Sequence, residues 1–302
     1  MITVLAIIAV VGLAINAIGA MMLWLIWSIK EYGMIDQLNM SGKTKVETAI
    51  ERIKTFEPPE GYFLAFSGGK DSVVIKALAD MAGVKYDAHY QITSVDPPEL
   101  VRFVKTFDDV SMDRTHYKDG TPITMWNLIP KKKMPPTRIA RYCCQYLKET
   151  SGEGRFVITG VRKAESSRRS HRGGIELAEK KSQHMENYDP DNPNQELIHL
   201  CQTHARRMLN PIIDWSDEDV WEFIRRYEVP YCELYDQGHK RLGCVGCPMS
   251  THRAEELEKY PKFKQAYIRA FDRMLKNKTL KNMEDVSTWK TGEDVYQWWI
   301  KG

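Results

Sequence analysis

The feature that most constrains the fold is one stretch, 62–75, where an apolar run breaks into a glycine-rich loop and resumes as an amphipathic helix pattern. The loop reads Ser67-Gly68-Gly69-Lys70-Asp71-Ser72. Its glycines can adopt backbone angles closed to other residues, so consecutive amide groups can converge on one anion. The following helix directs its partial positive charge to the same place, and Lys70 adds a full charge. The stretch therefore predicts a strand, an anion-binding loop and a helix, with Lys70 as the candidate catalytic residue.

The loop has two other interpretations. A Walker loop is excluded, because Asp71 follows the lysine where that motif needs a hydroxyl group that binds magnesium. An ordinary glycine-rich turn between a strand and a helix is the structural alternative.

Strand and helix patterns alternate around the loop. Helical spacing from Val46 to Ile53 precedes it, and strands are predicted at 85–93, near Val110 and at 155–160, with a helix at 96–107. This alternation predicts a Rossmann-like α/β/α sandwich with a mostly parallel sheet. Ligands of such folds bind beyond the carboxyl ends of the strands, where the loop falls.

A basic loop at 159–169 follows the strand at 155–160 and should lie at the same end of the sheet. Arginine suits phosphate, because its planar guanidinium donates two parallel hydrogen bonds. The loop is therefore predicted to be a second phosphate clamp. Its candidate residues are Gly160, Arg162, Ser166 and Arg169.

Four of the six cysteines form two tight pairs. They are Cys143, Cys144, Cys244 and Cys247. A Cys-x-x-Cys turn with small residues between its sulfurs is a strong metal signal, whereas two adjacent cysteines chelate a single zinc ion poorly. A larger iron–sulfur cluster tolerates that spacing. An iron–sulfur centre is predicted; zinc, with His239 or His252 as added ligands, and metal-free thiols stay open.

The first 29 residues contain no charged side chain and are long enough, as a helix, to cross a hydrocarbon core of about 30 Å. Basic residues follow this segment and none precedes it, which predicts a membrane anchor with the catalytic domain in the cytoplasm. A signal peptide, a misassigned start codon and a buried hairpin are the alternatives.

The overall charge gives little support for a nucleic-acid partner. The formal net charge is only +3, so a polyanion site has to come from local clusters of Lys and Arg. A basic helix at 260–278 is one such cluster, but its apolar spacing is more typical of a helix that docks onto its own domain. Nucleic acid therefore stays an open partner.

Several motifs occur together and in order. They are the loop at 67–72, Pro136-Thr137-Arg138, the segments 141–144, 160–169 and 210–221, and Gly243-Cys244 with Cys247. Over about 45–248 they resemble the phosphoadenosine phosphosulfate (PAPS) reductase family, within the adenine nucleotide alpha hydrolase-like superfamily. The resemblance implies that the loop binds the sulfate or phosphate end of an adenine nucleotide. It also implies a [4Fe–4S] cluster on the two cysteine pairs, as in adenylylsulfate reductases. Magnesium stays an open companion of the nucleotide.

The resemblance has one departure. Sulfonucleotide reductases of that family attack the sulfate sulfur with a cysteine near the C-terminus, whereas no cysteine follows Cys247 in this sequence. Cys201 and Cys232 are the remaining thiols, and both are typical of small buried hydrophobic residues.

The prediction is an enzyme that resembles a sulfonucleotide reductase and uses a thioredoxin-type electron donor. One alternative is an ATP pyrophosphatase that adenylates a nucleic acid or small molecule for sulfur modification. Another is a membrane-tethered nucleotide or redox sensor without turnover. The predicted domains are an anchor at 1–30, a PAPS reductase-like nucleotide-binding domain at 31–250 and a helical extension at 251–302.

Overall fold

A seven-stranded sheet forms the centre of the molecule, in the order β3-β2-β1-β4-β7-β5-β6. The computed structural model describes residues 34–39, 41–149, 151–167, 169–178, 185–191, 206–279 and 289–301. The strands are β1 Tyr62–Ala65, β2 Tyr86–Gln91, β3 Val110–Asp113, β4 Phe156–Ile158, β5 Ile175–Ala178, β6 Met185–Tyr188 and β7 Arg206–Leu209.

The α-helices fall into those that cover the sheet and a group at the C-terminus. They are α1 Lys45–Thr55, α2 Lys70–Ala82, α3 Pro98–Val104, α4 Met125–Lys132, α5 Tyr142–Leu147, α6 Asp217–Arg226, α7 Arg253–Lys259, α8 Pro261–Thr279 and α9 Gly292–Lys301. Short 3-10 helices span Met34–Asp36 and Lys163–Glu165.

Strands β3, β2, β1, β4 and β7 run parallel to one another. The predicted α/β fold with a mostly parallel, Rossmann-like sheet is therefore confirmed. The far edge differs, because β5 runs antiparallel to β7 and β6 runs antiparallel to β5. The sequence did not predict this antiparallel edge.

Local sequence accounts for the strand, loop and helix at the centre. Tyr62, Phe63 and Leu64 of β1 are all buried, as expected for a central parallel strand covered on both faces. Helix α2 begins at Lys70, directly after the glycines of the loop. It is capped at its C-terminus by Gly83, whose φ of 69° is left-handed. The glycine-rich loop is thus held between two buried elements.

The described residues contain two apolar cores. The first packs the sheet against α1, α2 and α6. The second joins α4 and α5 to the C-terminal helices and includes Leu128, Cys143, Tyr267 and Trp299. The second core positions the cysteine-bearing segments. The division into 31–250 and 251–302 stays a prediction.

The predicted localisation requires a correction. Within the described ranges, none of the helices combines the length and the apolar character that a bilayer crossing demands. The longest described helix, α8 with 19 residues, carries Lys and Arg along its length and packs through one apolar face. The prediction of a membrane-anchored protein with a cytoplasmic catalytic domain is therefore wrong. The segment 1–30, assigned to the anchor and transmembrane helix, lies outside the described residues.

Trp299 of α9 provides a test of the second core. Its side chain is 1% exposed, and its Nε1 donates to the Pro136 carbonyl oxygen at 2.7 Å. We expect Trp299→Phe to lower the free energy of unfolding by about 1–2 kcal/mol, because that carbonyl loses its donor and the ring shrinks. The neighbouring Trp298 is 46% exposed, so Trp298→Phe should change stability by less than about 0.5 kcal/mol. Urea denaturation measures both, and equal losses would contradict this assignment.

Candidate functional site

The loop at 67–72 leaves the carboxyl end of β1 and places backbone donors at the start of α2. Gly68 has a φ of +71°, and a Cβ there would lie 2.6 Å from Leu100 Cδ1, so the loop needs glycine at this position. Gly69 is the N-cap of α2 and supplies no capping side chain. The loop is braced internally, since Ser72 Oγ donates to the Gly69 carbonyl oxygen at 2.8 Å and lies 3.3 Å from Ser67 Oγ.

Two cations meet two carboxylates beside the loop. Lys70 Nζ lies 2.9 Å from Asp217 Oδ1 and 3.5 Å from Asp71 Oδ2. Arg162 contacts the same two residues, with Nε 2.6 Å from Asp71 Oδ1 and Nη2 2.8 Å from Asp217 Oδ1. We call Lys70, Asp71, Arg162 and Asp217 the loop network.

Burial makes the loop network strongly coupled. Arg162 is 1% exposed and Lys70 is 6% exposed, so neither charge is well hydrated. Partial burial opposes ionisation of Asp217, but hydrogen bonds and charge from Lys70 and Arg162 outweigh it and lower the pKa of the carboxyl. Asp217 therefore favours its ionised form, and an incoming anion would compete with it for Lys70 and Arg162.

Gly160 brings the basic loop onto the glycine-rich loop. A Cβ at this position would lie 2.8 Å from the Asp71 carbonyl oxygen, a backbone atom that cannot move aside easily. The close approach lets Arg162, two residues later, reach Asp71. The predicted association of Gly160 and Arg162 with the loop is therefore seen in the geometry.

Arg169 and Ser166 lie farther along the basic loop. Arg169 pairs with Glu165. Burial lowers the pKa of its guanidinium, and the charges of Arg241 and Arg172 lower it further. Ser166 is exposed and accepts hydrogen bonds from the Arg169 amide, at 2.8 Å to its carbonyl oxygen. Arg169 thus belongs to a cationic group beside the loop network, whereas no hydrogen bond found for Ser166 in the described residues reaches that network.

Two residues of the site escaped sequence reasoning. The sequence assigned Asp217 to the capped start of a helix and gave no role to Tyr235. The Lys70 amide donates to Tyr235 Oη at 2.8 Å, and the Tyr235 ring packs edge-on against Trp221 of α6 with centroids 5.1 Å apart. No local sequence pattern links either residue to the loop, so only the tertiary fold identifies them as part of the site.

The two cysteine pairs come into one neighbourhood. Tyr267 Oη donates to the carbonyl oxygen of Val245, between Cys244 and Cys247, at 3.0 Å, and Cys143 packs in the same core as Tyr267. Burial raises the pKa of the Tyr267 hydroxyl, and the charges of these three cysteines raise it further. A hydrogen bond from Cys143 lowers the pKa of the adjacent Cys144 thiol.

Cations and a hydroxyl group accompany these thiols. Arg141 Nη2 lies 3.4 Å from Cys144 Sγ, and the charge of Cys244 raises the pKa of the Lys148 ammonium. Cys244 Sγ lies 3.5 Å from Thr93 Oγ1, just beyond β2. The setting favours thiolates over thiols at Cys144.

A cleft of about 670 Å³ opens beside Cys244 and Cys247. Its basic lining residues are His239, Lys240, Arg241, His252 and Lys259. Arg241 also acts electrostatically on Arg169, so the cleft adjoins the cationic group beside the loop network. A ligand in the cleft would therefore contact Cys244 and Cys247 and lie near this cationic group.

The metal predictions find limited geometric support. Within the described ranges, no group of three or more His, Cys, Asp or Glu side chains is arranged to hold a metal ion. His239 Nε2 lies 3.1 Å from Lys259 Nζ, and His252 Nδ1 lies 3.2 Å from Glu255 Oε2, so both histidines contact other partners. The assignment of Cys143, Cys144, Cys244 and Cys247 as metal ligands stays a prediction.

Two cysteines lie outside the two pairs, and the structure describes one of them. Cys232 is 0% exposed, and burial raises the pKa of its thiol, which agrees with a small hydrophobic role. Cys201 lies outside the described residues.

The parallel sheet and its glycine-rich loop define an α/β protein with a candidate anion-binding site at the end of β1. A family model, the phosphoadenosine phosphosulfate reductase domain, matches residues 61–250. The chain belongs to this family, which confirms the resemblance drawn from the motifs.

The chain is also similar to individual curated proteins. The chain is 26% identical over 259 residues to an uncharacterized protein of Methanocaldococcus jannaschii, covering 80% of this chain and 45% of that protein. It is 41% identical over 49 residues to adenosine 5'-phosphosulfate reductase of Allochromatium vinosum, covering 16% of this chain and 19% of that enzyme. The chain spans about half the length of the first curated relatives it matches.

Among solved structures, PAPS reductase of Candida auris matches with a TM-score of 0.45 and 15% identity, over 69% of this chain and 96% of that chain. FMN adenylyltransferase of Candida glabrata matches with a TM-score of 0.41 and 16% identity, over 67% of this chain and 63% of that chain.

Proposed function

We propose that the protein is an enzyme that binds an adenine nucleotide through the loop at 67–72 and acts as a sulfonucleotide reductase. The observation that carries this proposal is that Lys70 and Arg162 are both buried beside the backbone amides of the glycine-rich loop, in a member of the PAPS reductase family. Buried cations beside amide donors suit an anionic tail, since each hydrogen bond to an ionised group is stronger than a neutral one.

In this proposal, each group at the loop stabilises negative charge. The amides after Gly68 and the Lys70 ammonium contact the sulfate or phosphate end, and Arg162 neutralises charge that develops as the group transfers. Reduction of adenylylsulfate to sulfite and AMP consumes two electrons. A dithiol protein of the thioredoxin type would supply them and become a disulfide.

We further propose that Cys143, Cys144, Cys244 and Cys247 hold a [4Fe–4S] cluster beside the cleft. The chemistry of the donor set supports this, because thiolates are the ligands of iron–sulfur clusters, and a hydrogen bond from Cys143 and the charges of Arg141 and Lys148 lower the pKa of the Cys144 thiol. Burial acts in the opposite direction on Cys244 and raises the pKa of its thiol. When bound, such a cluster supplies a redox-active, charged centre. The cleft beside Cys244 gives a second reactant access to this region.

An ATP pyrophosphatase is the second candidate. It is favoured by Cys232, whose burial and raised pKa make it a poor nucleophile for a sulfite-transfer step. Adenylation by ATP needs no such thiol, because the loop would bind the pyrophosphate that leaves. The acceptor in this candidate is a nucleic acid or small molecule that receives sulfur.

Turnover with labelled substrates tests these functions. Adenylylsulfate, its 3′-phosphorylated form and ATP are supplied separately to anaerobically purified protein, with and without a dithiol donor. Sulfite release that depends on the donor supports the reductase. Pyrophosphate release that depends on an acceptor supports the pyrophosphatase, and binding without any product indicates a sensor and contradicts both enzymes.

The cluster proposal predicts an optical signature. Anaerobically purified protein should absorb broadly at about 400 nm and contain about four iron atoms per chain. Cys244→Ser should remove most of the iron and the absorbance, whereas Cys232→Ala, at a buried cysteine outside the two pairs, should retain both. Colourless wild-type protein with stoichiometric zinc would rule out the iron–sulfur assignment.

A further inference from the structure

Protein oxygen atoms already occupy the donors that the loop would offer to an anion. The Lys70 amide donates to Tyr235 Oη at 2.8 Å. Asp217 Oδ1 is a shared acceptor, 2.9 Å from Lys70 Nζ and 2.8 Å from Arg162 Nη2. Three converging donors are thus satisfied by two oxygen atoms from distant parts of the chain.

The two acceptors belong to one local assembly. Asp217 is the first residue of α6, and Trp221 of the same helix packs against the Tyr235 ring. The charges of Asp71 and Asp217 both act on the Tyr235 hydroxyl. Tyr235 and Asp217 therefore flank the same small volume in front of Lys70.

The two acceptors lie where a local rearrangement can move them: Asp217 at an exposed helix start, and Tyr235, whose ring contacts Trp221, in a turn. The Asp217 side chain is 53% exposed, so a rotation carries its carboxylate into water while α6 keeps its Ser216 cap. Tyr235 lies in a turn outside the regular helices and strands. The donors have no such freedom, because Arg162 is 1% exposed and the Lys70 amide is fixed at the helix start.

We propose that Asp217 Oδ1 and Tyr235 Oη stand in for two oxygen atoms of the ligand's anionic tail and are displaced when the nucleotide binds. This inference rests on the proposed binding of an adenine nucleotide at the loop. Without ligand, the stand-ins keep two buried cations and one amide paired, which avoids the cost of isolated buried charge. With ligand, two adjacent tail oxygens take over these contacts.

The exchange defines the class of tail that the site accepts. The ligand must replace a full negative charge at Asp217 and a neutral acceptor at Tyr235 with oxygens that are close together. A pyrophosphate or a mixed phosphate–sulfate anhydride offers such oxygens and spreads more than one negative charge over them, whereas a lone carboxylate shares a single charge between its two oxygens. Inorganic pyrophosphate is therefore a minimal probe of the exchange.

Removing the charge of Asp217 should strengthen binding. In Asp217→Asn the amide side chain holds Lys70 and Arg162 less tightly, so we expect pyrophosphate to bind about 5–10-fold more tightly by calorimetry. Glu218→Gln is the matched control, since Glu218 is the next residue of α6, exposed, with the same charge. Unchanged or weaker binding by Asp217→Asn, relative to this control, would overturn the stand-in role.

The hydroxyl group of Tyr235 allows an independent test of the stand-in role. Tyr235→Phe frees the Lys70 amide while keeping the ring against Trp221, so we expect about 3–5-fold tighter pyrophosphate binding. Tyr231→Phe is the control, because Tyr231 also packs against Trp221 and its hydroxyl contacts only Asp236 among the hydrogen bonds described. Weaker binding by Tyr235→Phe would mean that the hydroxyl contacts the ligand directly, and it would refute displacement.

Binding by the wild-type protein separates failure of the nucleotide site from failure of the stand-in role. If it binds neither pyrophosphate nor ATP, the proposed nucleotide site fails and the inference fails with it. If it binds both and the Asp217 and Tyr235 variants match their controls, only the stand-in role fails.

Discussion

Replacing Lys70 with methionine is expected to weaken binding of ATP and adenylylsulfate by about 100-fold. The loss follows from removing a charge that is 6% exposed and lies at the first residue of α2, where the loop amides converge. Hydrogen bonds to charged groups contribute about 1.5–3 kcal/mol each, and a shielded site keeps most of that value. Methionine preserves the packing of the side-chain stem, so the change reports on the ammonium group. Isothermal titration calorimetry measures both ligands.

Lys85→Met is the control for this substitution. Lys85 is exposed and precedes β2 at the opposite end of the sheet from the loop, so its removal should leave both affinities within about twofold. Affinities that stay unchanged in Lys70→Met would remove the loop from the binding site.

Arg162→Met is expected to reduce the free energy of unfolding by about 3 kcal/mol. Breaking a buried ion pair on one side costs about 3–5 kcal/mol, and the lower end applies because Asp217 is 53% exposed and can reach water. Asp71, with 22% side-chain exposure, loses its 2.6 Å contact with Arg162 and keeps the 3.5 Å contact with Lys70. Denaturant titration measures the loss.

A surface ion pair supplies the control for Arg162. Arg102 is 66% exposed and lies 3.9 Å from Glu99, so Arg102→Met should cost less than about 0.5 kcal/mol. A loss at Arg162 no larger than this would show that the loop network does not support the fold.

The parts of the fold that the sequence predicted correctly are those encoded locally. The loop combines a buried strand, two glycines and a helix start within a few adjacent residues. The strands β2, β3 and β4 follow apolar patterns at their own positions. Because parallel strands align their carboxyl ends, these local patterns were enough to place Gly160 and Arg162 near the loop.

Other elements have weaker local signals. Helix α4 contains Pro130 in its interior, which argues against a helix when the segment is read alone. Strands β5 and β6 are four residues each. The buried Glu176 lies within β5 and pairs with Arg172, so charge interrupts the expected apolar pattern. Tertiary packing, rather than local sequence, determines that α4, β5 and β6 form.

The site divides in the same way. Lys70 and Arg162 belong to motifs that carry their own chemical signal. Asp217 and Tyr235 reach the loop only because α6 and the turn after it fold back onto the start of α2. The two cysteine pairs were each conspicuous in the sequence, but their common neighbourhood around Tyr267 depends on the second core.

The most direct test of the central claim is a crystal structure of the protein with a non-hydrolysable ATP analogue. The phosphate oxygens are predicted to lie within about 3 Å of the Lys70 amide, its ammonium group and the Arg162 guanidinium, with Asp217 and Tyr235 turned away. A triphosphate bound elsewhere, with both residues still in contact with Lys70, would contradict the account.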